Sequence, residues 1–291
     1  GDGDDEIYGG TGNDSIDGGV DDDTIFGEAG DDTAVVTANF GDDTYTGGET
    51  GETTGDKIDA TALSANTTVV FSGAEEGTLT QGTNSVDFVE VERIETGSGD
   101  DNIFGGSGND SVHTGAGEDT VFLTDNFGDD TLTAGEVDDA GGDVLDGAAL
   151  TDDVTVTFSG PEAGTISDGT DTTNFAEFEE LATGSGDDTV FGGIGNESIY
   201  TNQGDDVFAI EDDFGDDTYI AGEAGETDGD KLDGSALTDD ALVNFDGPET
   251  GTLDANGDSV FFAEVEVVAT GSGDDTIVSG SGNDVVETNE G

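Results

Sequence analysis

Large apolar residues recur every nine positions in several stretches of the chain, each flanked by polar neighbours. Ile7, Ile16 and Ile25 open the series; Ile103, Val112 and Val121, then Val190 and Ile199, and finally Ile277 continue it. Each stands two residues after an acid and shortly after glycine. Side chains along a strand alternate between faces, so the pattern predicts short strands with one inward apolar residue, joined by sharp glycine turns. Nine residues then make one turn and one strand, and eighteen make one coil of a parallel β-solenoid. A second kind of segment alternates apolar and polar positions, as in Val154-Thr155-Val156-Thr157-Phe158 and Val265-Glu266-Val267, and reads as half-buried strands. Such segments are either spacer coils of the same solenoid or small β-inserts. With 51 glycines scattered through the chain, long helices are disfavoured.

The nine-residue unit is written most clearly in Gly9-Gly10-Thr11-Gly12-Asn13-Asp14-Ser15-Ile16-Asp17 and in Gly105-Gly106-Ser107-Gly108-Asn109-Asp110-Ser111-Val112-His113. A longer period is superimposed on it. Gly-Ser-Gly-Asp-Asp begins at Gly97, Gly184 and Gly271, and Phe-Gly-Asp-Asp-Thr at Phe40, Phe127 and Phe214, so both markers repeat every 87 residues. This divides the chain into repeat units 1–96 (with one extra nonapeptide), 97–183, 184–270 and a truncated 271–291. The chain opens inside one repeat and closes inside another, as expected for a segment of a longer protein.

Charge changes the picture. Seventy-three acidic residues face three basic ones, Lys57, Arg93 and Lys231, for a formal net charge of −70. A compact fold with that much uncompensated charge repels itself, so cations must come from solution. Nucleic acid and anionic membranes are poor partners for such a surface. No apolar run approaches the roughly 18 residues of a membrane helix, so no membrane insertion is expected. Cysteine is absent, and bound metal can take the place of disulfide staples.

The nonapeptide supplies the place for that metal. Glycines at positions 1, 2 and 4 permit backbone angles that residues with a Cβ reach only at a cost and turn carbonyl oxygens toward a common point. The acid at position 6 adds a carboxylate there. Hard oxygen donors in a flexible cage suit Ca²⁺. The candidate ligands are Asp5, Asp14, Asp23, Asp32 and Asp43; Asp101, Asp110, Asp119 and Asp130; Asp188, Glu197, Asp206 and Asp217; and Asp275 and Asp284. Turns on one edge lie one coil apart, so Asp5 should face Asp23, Asp14 should face Asp32, Asp101 should face Asp119, and Asp188 should face Asp206. Asp110 with Asp130 straddles an 11-residue step. Further acids follow at 13-residue steps, Asp143 and Asp230. Asp4, Asp31, Asp100 and Asp187 fall outside position 6 and read as solvated surface.

The glycine-aspartate halves resemble the RTX repeats of haemolysin-type calcium-binding proteins, and Gly229-Asp230-Lys231-Leu232-Asp233-Gly234-Ser235-Ala236-Leu237-Thr238 resembles spacer sequences of large secreted RTX proteins. The resemblance implies an all-β parallel β-roll, several Ca²⁺ ions in the turns, and export of an unfolded chain by a type I system. Three positions depart from the motif: Glu197 replaces the sixth-position aspartate, Asp21 a fourth-position glycine, and Thr114-Gly115 a glycine pair.

No catalytic constellation stands out. His113 is the sole histidine and sits in an outward position after Val112, serines lack a base, and paired acids such as Asp100 and Asp101 recur in every unit. No enzyme is expected. The expectation is instead a secreted or cell-surface calcium-binding structural repeat, a segment of a fibre, adhesin stalk or surface layer that folds and stiffens on binding calcium. The alternative is the calcium-folding export module of a larger secreted enzyme or toxin, and a third reading is ligand binding by outward threonines such as Thr24, Thr120 and Thr189. Position 9 holds outward aromatics, Tyr8, Phe26, Phe104, Phe122, Phe191 and Tyr200. Phe104 and Phe191, 87 residues apart, are expected along one line of the solenoid, either covered by spacer segments or forming a stripe for self-association.

Overall fold

The computed structural model describes residues 1–135, 141–222, 224–281 and 285–289, which pack as two compact units, Gly1–Val144 and Leu145–Gly291. Among these residues there is no helix; every regular element is a strand. The second unit begins inside the second repeat unit read from the sequence.

Three-residue strands carry the nonapeptide pattern as expected. In Asn102–Phe104, Ser111–His113 and Thr120–Phe122 the central residue is buried and its neighbours face outward. Strands eighteen residues apart pair in parallel, with Ile7 opposite Ile25 and Ile103 opposite Val121. Alternate strands go to two different sheets. In the first unit, Glu6–Thr11, Thr24–Ala29 and Asp42–Thr46 follow one another in one sheet. Ser15–Ile16, Thr33–Val35, Lys57–Asp59, Arg93–Glu95, Ser111–His113 and Thr131–Thr133 follow in the other. Between the sheets lies a narrow apolar core that includes Ile25, Ile58, Ile94, Ile103, Val112 and Val121. Burying one such side chain contributes about 1.5–3 kcal/mol. Ile7 and Ile277, in the terminal coils, are only half-buried. The phenylalanines of the long-period marker, Phe40, Phe127 and Phe214, are fully inside, because each 11-residue step gives the turn two extra residues with which to fold an aromatic ring inward.

The alternating segments are inserts within the sheet. Thr68–Gly73, Glu76–Gln81 and Asn84–Val89 form an antiparallel meander; its first strand pairs in parallel with Asn102–Phe104 and its last with Asp42–Thr46. The second unit contains two such meanders. Thr155–Gly160, Ala163–Ser167 and Thr172–Ala176 lie in the sheet of Thr189–Phe191, whereas Ala241–Gly247, Thr250–Ala255 and Asp258–Ala263 lie in the opposite sheet. One detail differs from the alternation read in Val265-Glu266-Val267. The chain bends there, and Val265 and Val268 are the inward residues, the strand being Val267–Ala269.

The placement of the meanders corrects the expected line of aromatics. From Thr189–Phe191 to Thr276–Val278 the chain visits Ser198–Tyr200, Val207–Ala209, Asp216–Ile220, Lys231–Asp233, the meander and Val267–Ala269, which makes seven changes of sheet. Seven is odd, so Val278 lies on the opposite sheet from Phe191. In the first unit Phe104 likewise lies on the opposite sheet from the strand that ends beside Asp17. An 87-residue step therefore changes face within each unit, and residues so spaced do not form one stripe. Phe104 is 42% and Phe191 47% exposed, so spacers do not cover them. Phe104 stacks on Phe122 at 4.6 Å and Tyr8 on Phe26 at 5.0 Å, coil on coil.

Candidate calcium ladders

Each nonapeptide turn brings its sixth-position carboxylate beneath the backbone of the turn one coil earlier. The backbone N–H of Asp5 donates to Asp23 Oδ1 at 2.8 Å, and that of Asp14 to Asp32 Oδ1 at 2.7 Å. Asp101 N–H donates to Asp119 at 2.7 Å, and Asp188 N–H to Asp206 at 2.7 Å. All four expected pairs are therefore brought together. The longer steps stretch the sequence separation without breaking the ladder. Asp23 reaches Asp43 at 2.9 Å, Asp110 reaches Asp130 at 2.9 Å, and Glu197 reaches Asp217 at 3.0 Å, each twenty residues on.

The ladder runs through the interior of the turns. Asp23, Asp32, Asp43, Asp101, Asp110, Asp119, Asp130, Asp188, Glu197, Asp206 and Asp217 are all buried. Asp14 and Asp275 are half-buried, and Asp5 is exposed in the first coil. Asp275 accepts the Ala241 N–H at 3.0 Å. Asp284 lies outside the described residues. One oxygen of Asp23, Asp32, Asp43, Asp119, Asp130, Asp206 and Asp217 accepts the N–H of the ladder acid one coil earlier, and Asp101 and Asp188 accept the Thr67 and Val154 N–H groups. The second oxygen of Asp14, Asp23, Asp32, Asp188 and Asp206 is buried with no hydrogen-bond partner among the described residues. A buried carboxylate oxygen without a partner is costly, and so many in register indicate a missing common partner.

Glycine makes room for that partner. A Cβ placed on Gly27 would sit 2.5 Å from Asp32 Oδ2 and 2.9 Å from the Gly47 carbonyl oxygen. The absent side chain thus leaves a cradle where a carboxylate and a main-chain carbonyl converge, both hard donors that suit Ca²⁺. Among the described residues no lysine or arginine pairs with a ladder acid; the Gly1 ammonium lies 3.8 Å from the exposed Asp5 carboxylate. Lys57 pairs with Asp59 and Glu95, Arg93 with Glu95, and Lys231 with Asp233 and Glu287, none of them a ladder acid. Burial pushes the carboxyls up accordingly, Asp101 and Asp188 to about 6, Asp110 and Asp206 to about 7. Asp130 adds to the rise at Asp110, and Asp188 to that at Asp206.

The departures from the motif have local solutions. Asp21 takes the left-handed angle of the glycine it replaces, at φ 74°, and its carboxylate accepts the Gly3 N–H at 3.0 Å. Glu197 folds its longer side chain back onto its own turn, accepting the Gly195 N–H at 3.1 Å. His113 is exposed, with its ring 3.2 Å from the Thr133 carbonyl oxygen.

Two features go beyond the sequence pattern. Besides Asp143 and Asp230, read from the sequence at 13-residue steps, the ladder includes Asp56, thirteen residues after Asp43, and continues from Asp56 to Glu92 and from Asp230 to Glu266. Glu92 and Glu266 stand nine residues before Asp101 and Asp275, a phase visible in the sequence but carried by glutamate. Asp31, Asp100 and Asp187, expected to be solvated surface, belong to a second, outer ladder, in which Asp100 Oδ1 accepts the Glu118 N–H at 3.3 Å. Asp31 Oδ1 accepts the N–H groups of Thr53, Thr54 and Gly55, Asp187 Oδ1 that of Asp205, and Asp205 Oδ1 those of Thr227, Asp228 and Gly229. These hydrogen bonds hold the Asp31 and Asp205 carboxyls below the usual carboxylate range.

Comparison with known families gives a match to the RTX calcium-binding nonapeptide repeat, in four copies at residues 1–34, 91–121, 177–208 and 264–291. These segments contain the ladder acids Asp5 to Asp32, Asp101 to Asp119, Asp188 to Asp206, and Asp275. No individual curated protein matches the chain. With the repeats matched in register with parallel strands, and with no helix among the described residues, the chain carries RTX calcium-binding nonapeptide repeats that bind several Ca²⁺ ions.

Proposed function

We propose that this chain is a structural segment of a secreted or cell-surface protein, unfolded where calcium is scarce and folded by calcium outside the cell. The ladder acids Asp14, Asp23, Asp32, Asp43, Asp101, Asp110, Asp119, Asp130, Asp188, Glu197, Asp206 and Asp217 supply the carboxylate ligands, with Asp5, Asp275 and Asp284 serving the terminal turns. The observation that carries this reading is the row of buried carboxylate oxygens without a protein cation. Without metal these charges repel across adjacent coils. With Ca²⁺ between turns, binding free energy becomes folding free energy. Extracellular calcium modules work at about 10⁻⁴–10⁻³ M, which sets the working range.

Small-angle scattering across a calcium titration tests the proposal. An expanded chain in chelator should contract to a compact particle as calcium enters that range; a compact particle in chelator at neutral pH would overturn it. The exposed aromatics support a role in self-association. With Phe104→Ser and Phe191→Ser combined, sedimentation should show association in calcium lost while calcium-dependent contraction persists. Unchanged association would remove these residues from the contact.

A further inference from the structure

The 13-residue turn between Asp43 and Asp56 does more than lengthen the ladder. It brings Glu52 beside Asp56 and Glu92, with one carboxylate oxygen from each within 4.8 Å of the others. Glu226, Asp230 and Glu266 make the same group in the second unit, each 174 residues on (226 − 52, 230 − 56, 266 − 92). The group differs from a nonapeptide turn in its third carboxylate, contributed by turn residues that the nine-residue motif does not contain.

Acidic residues often cluster without purpose, but three further observations point to a ligand here. Asp56 is 1% exposed; its Oδ1 takes the Asp32 N–H at 2.6 Å, and its Oδ2 is buried without a partner, as is Glu52 Oε1. Tyr45, also 1% exposed, has a hydroxyl with no hydrogen-bond partner among the described residues, within the field of Asp56, Asp32, Glu92 and Glu52. A Cβ on Gly55, at φ +79°, would collide with the Glu92 carboxylate, and one on Gly47 with both Asp56 Oδ2 and the Glu90 carbonyl oxygen. The cradle thus presents several oxygens to one small space. The neighbouring cations are committed elsewhere, Lys57 to Asp59 and Glu95, and Arg93 to Glu95.

We propose that Glu52, Asp56 and Glu92, and again Glu226, Asp230 and Glu266, form a tricarboxylate site for a hard divalent cation, separate from the nonapeptide sites. Its position gives it a particular task. Asp56 precedes the meander of Thr68–Gly73, Glu76–Gln81 and Asn84–Val89, and Glu92 follows it; Asp230 and Glu266 bracket the meander of Ala241–Ala263 in the same way. An ion held by both therefore closes the loop containing the meander and removes the closure entropy of those residues from the unfolded chain. Affinity in calcium sites rises with ligand charge count, so this site fills before the nonapeptide turns.

Calorimetric calcium titration of the full chain at about pH 8 provides the test. The double variant Glu52→Gln, Glu226→Gln touches neither nonapeptide ligands nor the ladder hydrogen bonds. It should bind two fewer ions and lose the tightest class, with strand content at saturating calcium unchanged. Unchanged stoichiometry and affinity in a folded variant would overturn the site while leaving the nonapeptide reading intact, whereas a wild-type chain that binds no calcium would sink the nonapeptide reading. Should the variant fail to fold, terbium added to the wild-type chain gives a second measurement. Tyr45 and Tyr219 occupy equivalent places beside the two groups, Tyr219 within the field of Asp230 and Glu266. The first terbium equivalents should therefore give tyrosine-sensitised emission that Tyr45→Phe, Tyr219→Phe abolishes. Equal early emission from that variant would refute the proposal.

Discussion

Stripped of metal by dialysis, the chain should lack strand signal at about pH 8 and recover it on acidification to about pH 5, with no calcium added. The sign follows from the buried ladder. Burial raises Asp43, Asp101 and Asp188 to about 6, Asp56, Asp110 and Asp206 to about 7, and Asp230 to about 8. In the unfolded chain an aspartate titrates at ~3.9. A carboxyl whose folded value is raised favours the fold fully below its unfolded value and loses that contribution as pH rises through the folded one. The loss therefore runs from about pH 4 to 8, most of it above pH 5 for the groups raised to about 7 or 8. A tenfold change in proton affinity corresponds to about 1.4 kcal/mol, so a single aspartate raised to about 6 works against the metal-free fold by roughly 3 kcal/mol once ionised. Several such groups exceed the ~5–15 kcal/mol that a typical domain has to spare. Acid and calcium thus relieve the same repulsion by different means, protonation in one case and counter-charge in the other. Far-UV circular dichroism against pH in metal-free buffer reads the result. A chain that folds with calcium at neutral pH yet shows no strand at about pH 5 would separate the two and refute the argument.

How much of this is legible from sequence depends on what each residue's neighbours repeat. Ile103, Val112 and Val121 announce their strands because glycine before and polar residues on either side recur in phase, and the acids two positions earlier inherit that phase. Asp101 opposite Asp119 then follows from strand geometry alone. Asp56 and Glu92 carry the same ladder onward and stand out less. Asp56 follows Asp43 by the 13-residue step that also leads to Asp143 and Asp230, outside the nine-residue count, and glutamate in place of aspartate disguises Glu92. The alternating segments reveal strands through their period of two. That period cannot say whether consecutive strands stack as coils or lie side by side as a meander, since both bury every second residue. For the same reason the face of Phe191 relative to Val278 is invisible in the sequence. It depends on an odd number of sheet changes, which only the pairing partners disclose. The outer ladder escapes notice because Asp31 and Asp205 are exposed, and their value lies in backbone N–H groups more than twenty residues away.

Replacing Asp206 with asparagine should move stability in opposite directions with and without calcium. The amide keeps the Oδ1 acceptor that holds the Asp188 N–H at 2.7 Å, and with it the shape of the turn. It removes the charge. In calcium the site between Asp188 and Asp206 loses a ligand charge, and the titration midpoint should rise about tenfold, or ~1.4 kcal/mol. In chelator at about pH 8 the same change removes a buried carboxylate that burial has pushed up to about 7, and the metal-free fold should gain a few kcal/mol, ~4 at most. Adding Asp188→Asn should increase both effects. Asp205→Asn, one residue away, provides the contrast. Its exposed carboxylate accepts three backbone N–H groups, and these hold its carboxyl below the usual range. Charge there favours the fold above the ordinary carboxylate value, so its loss should weaken the chain in calcium and in chelator alike. Paired urea titrations of the two variants, with calcium and with chelator, distinguish a ligand from a purely structural acid. If Asp206→Asn destabilised both states equally, its carboxylate would be holding the turn together and not the ion.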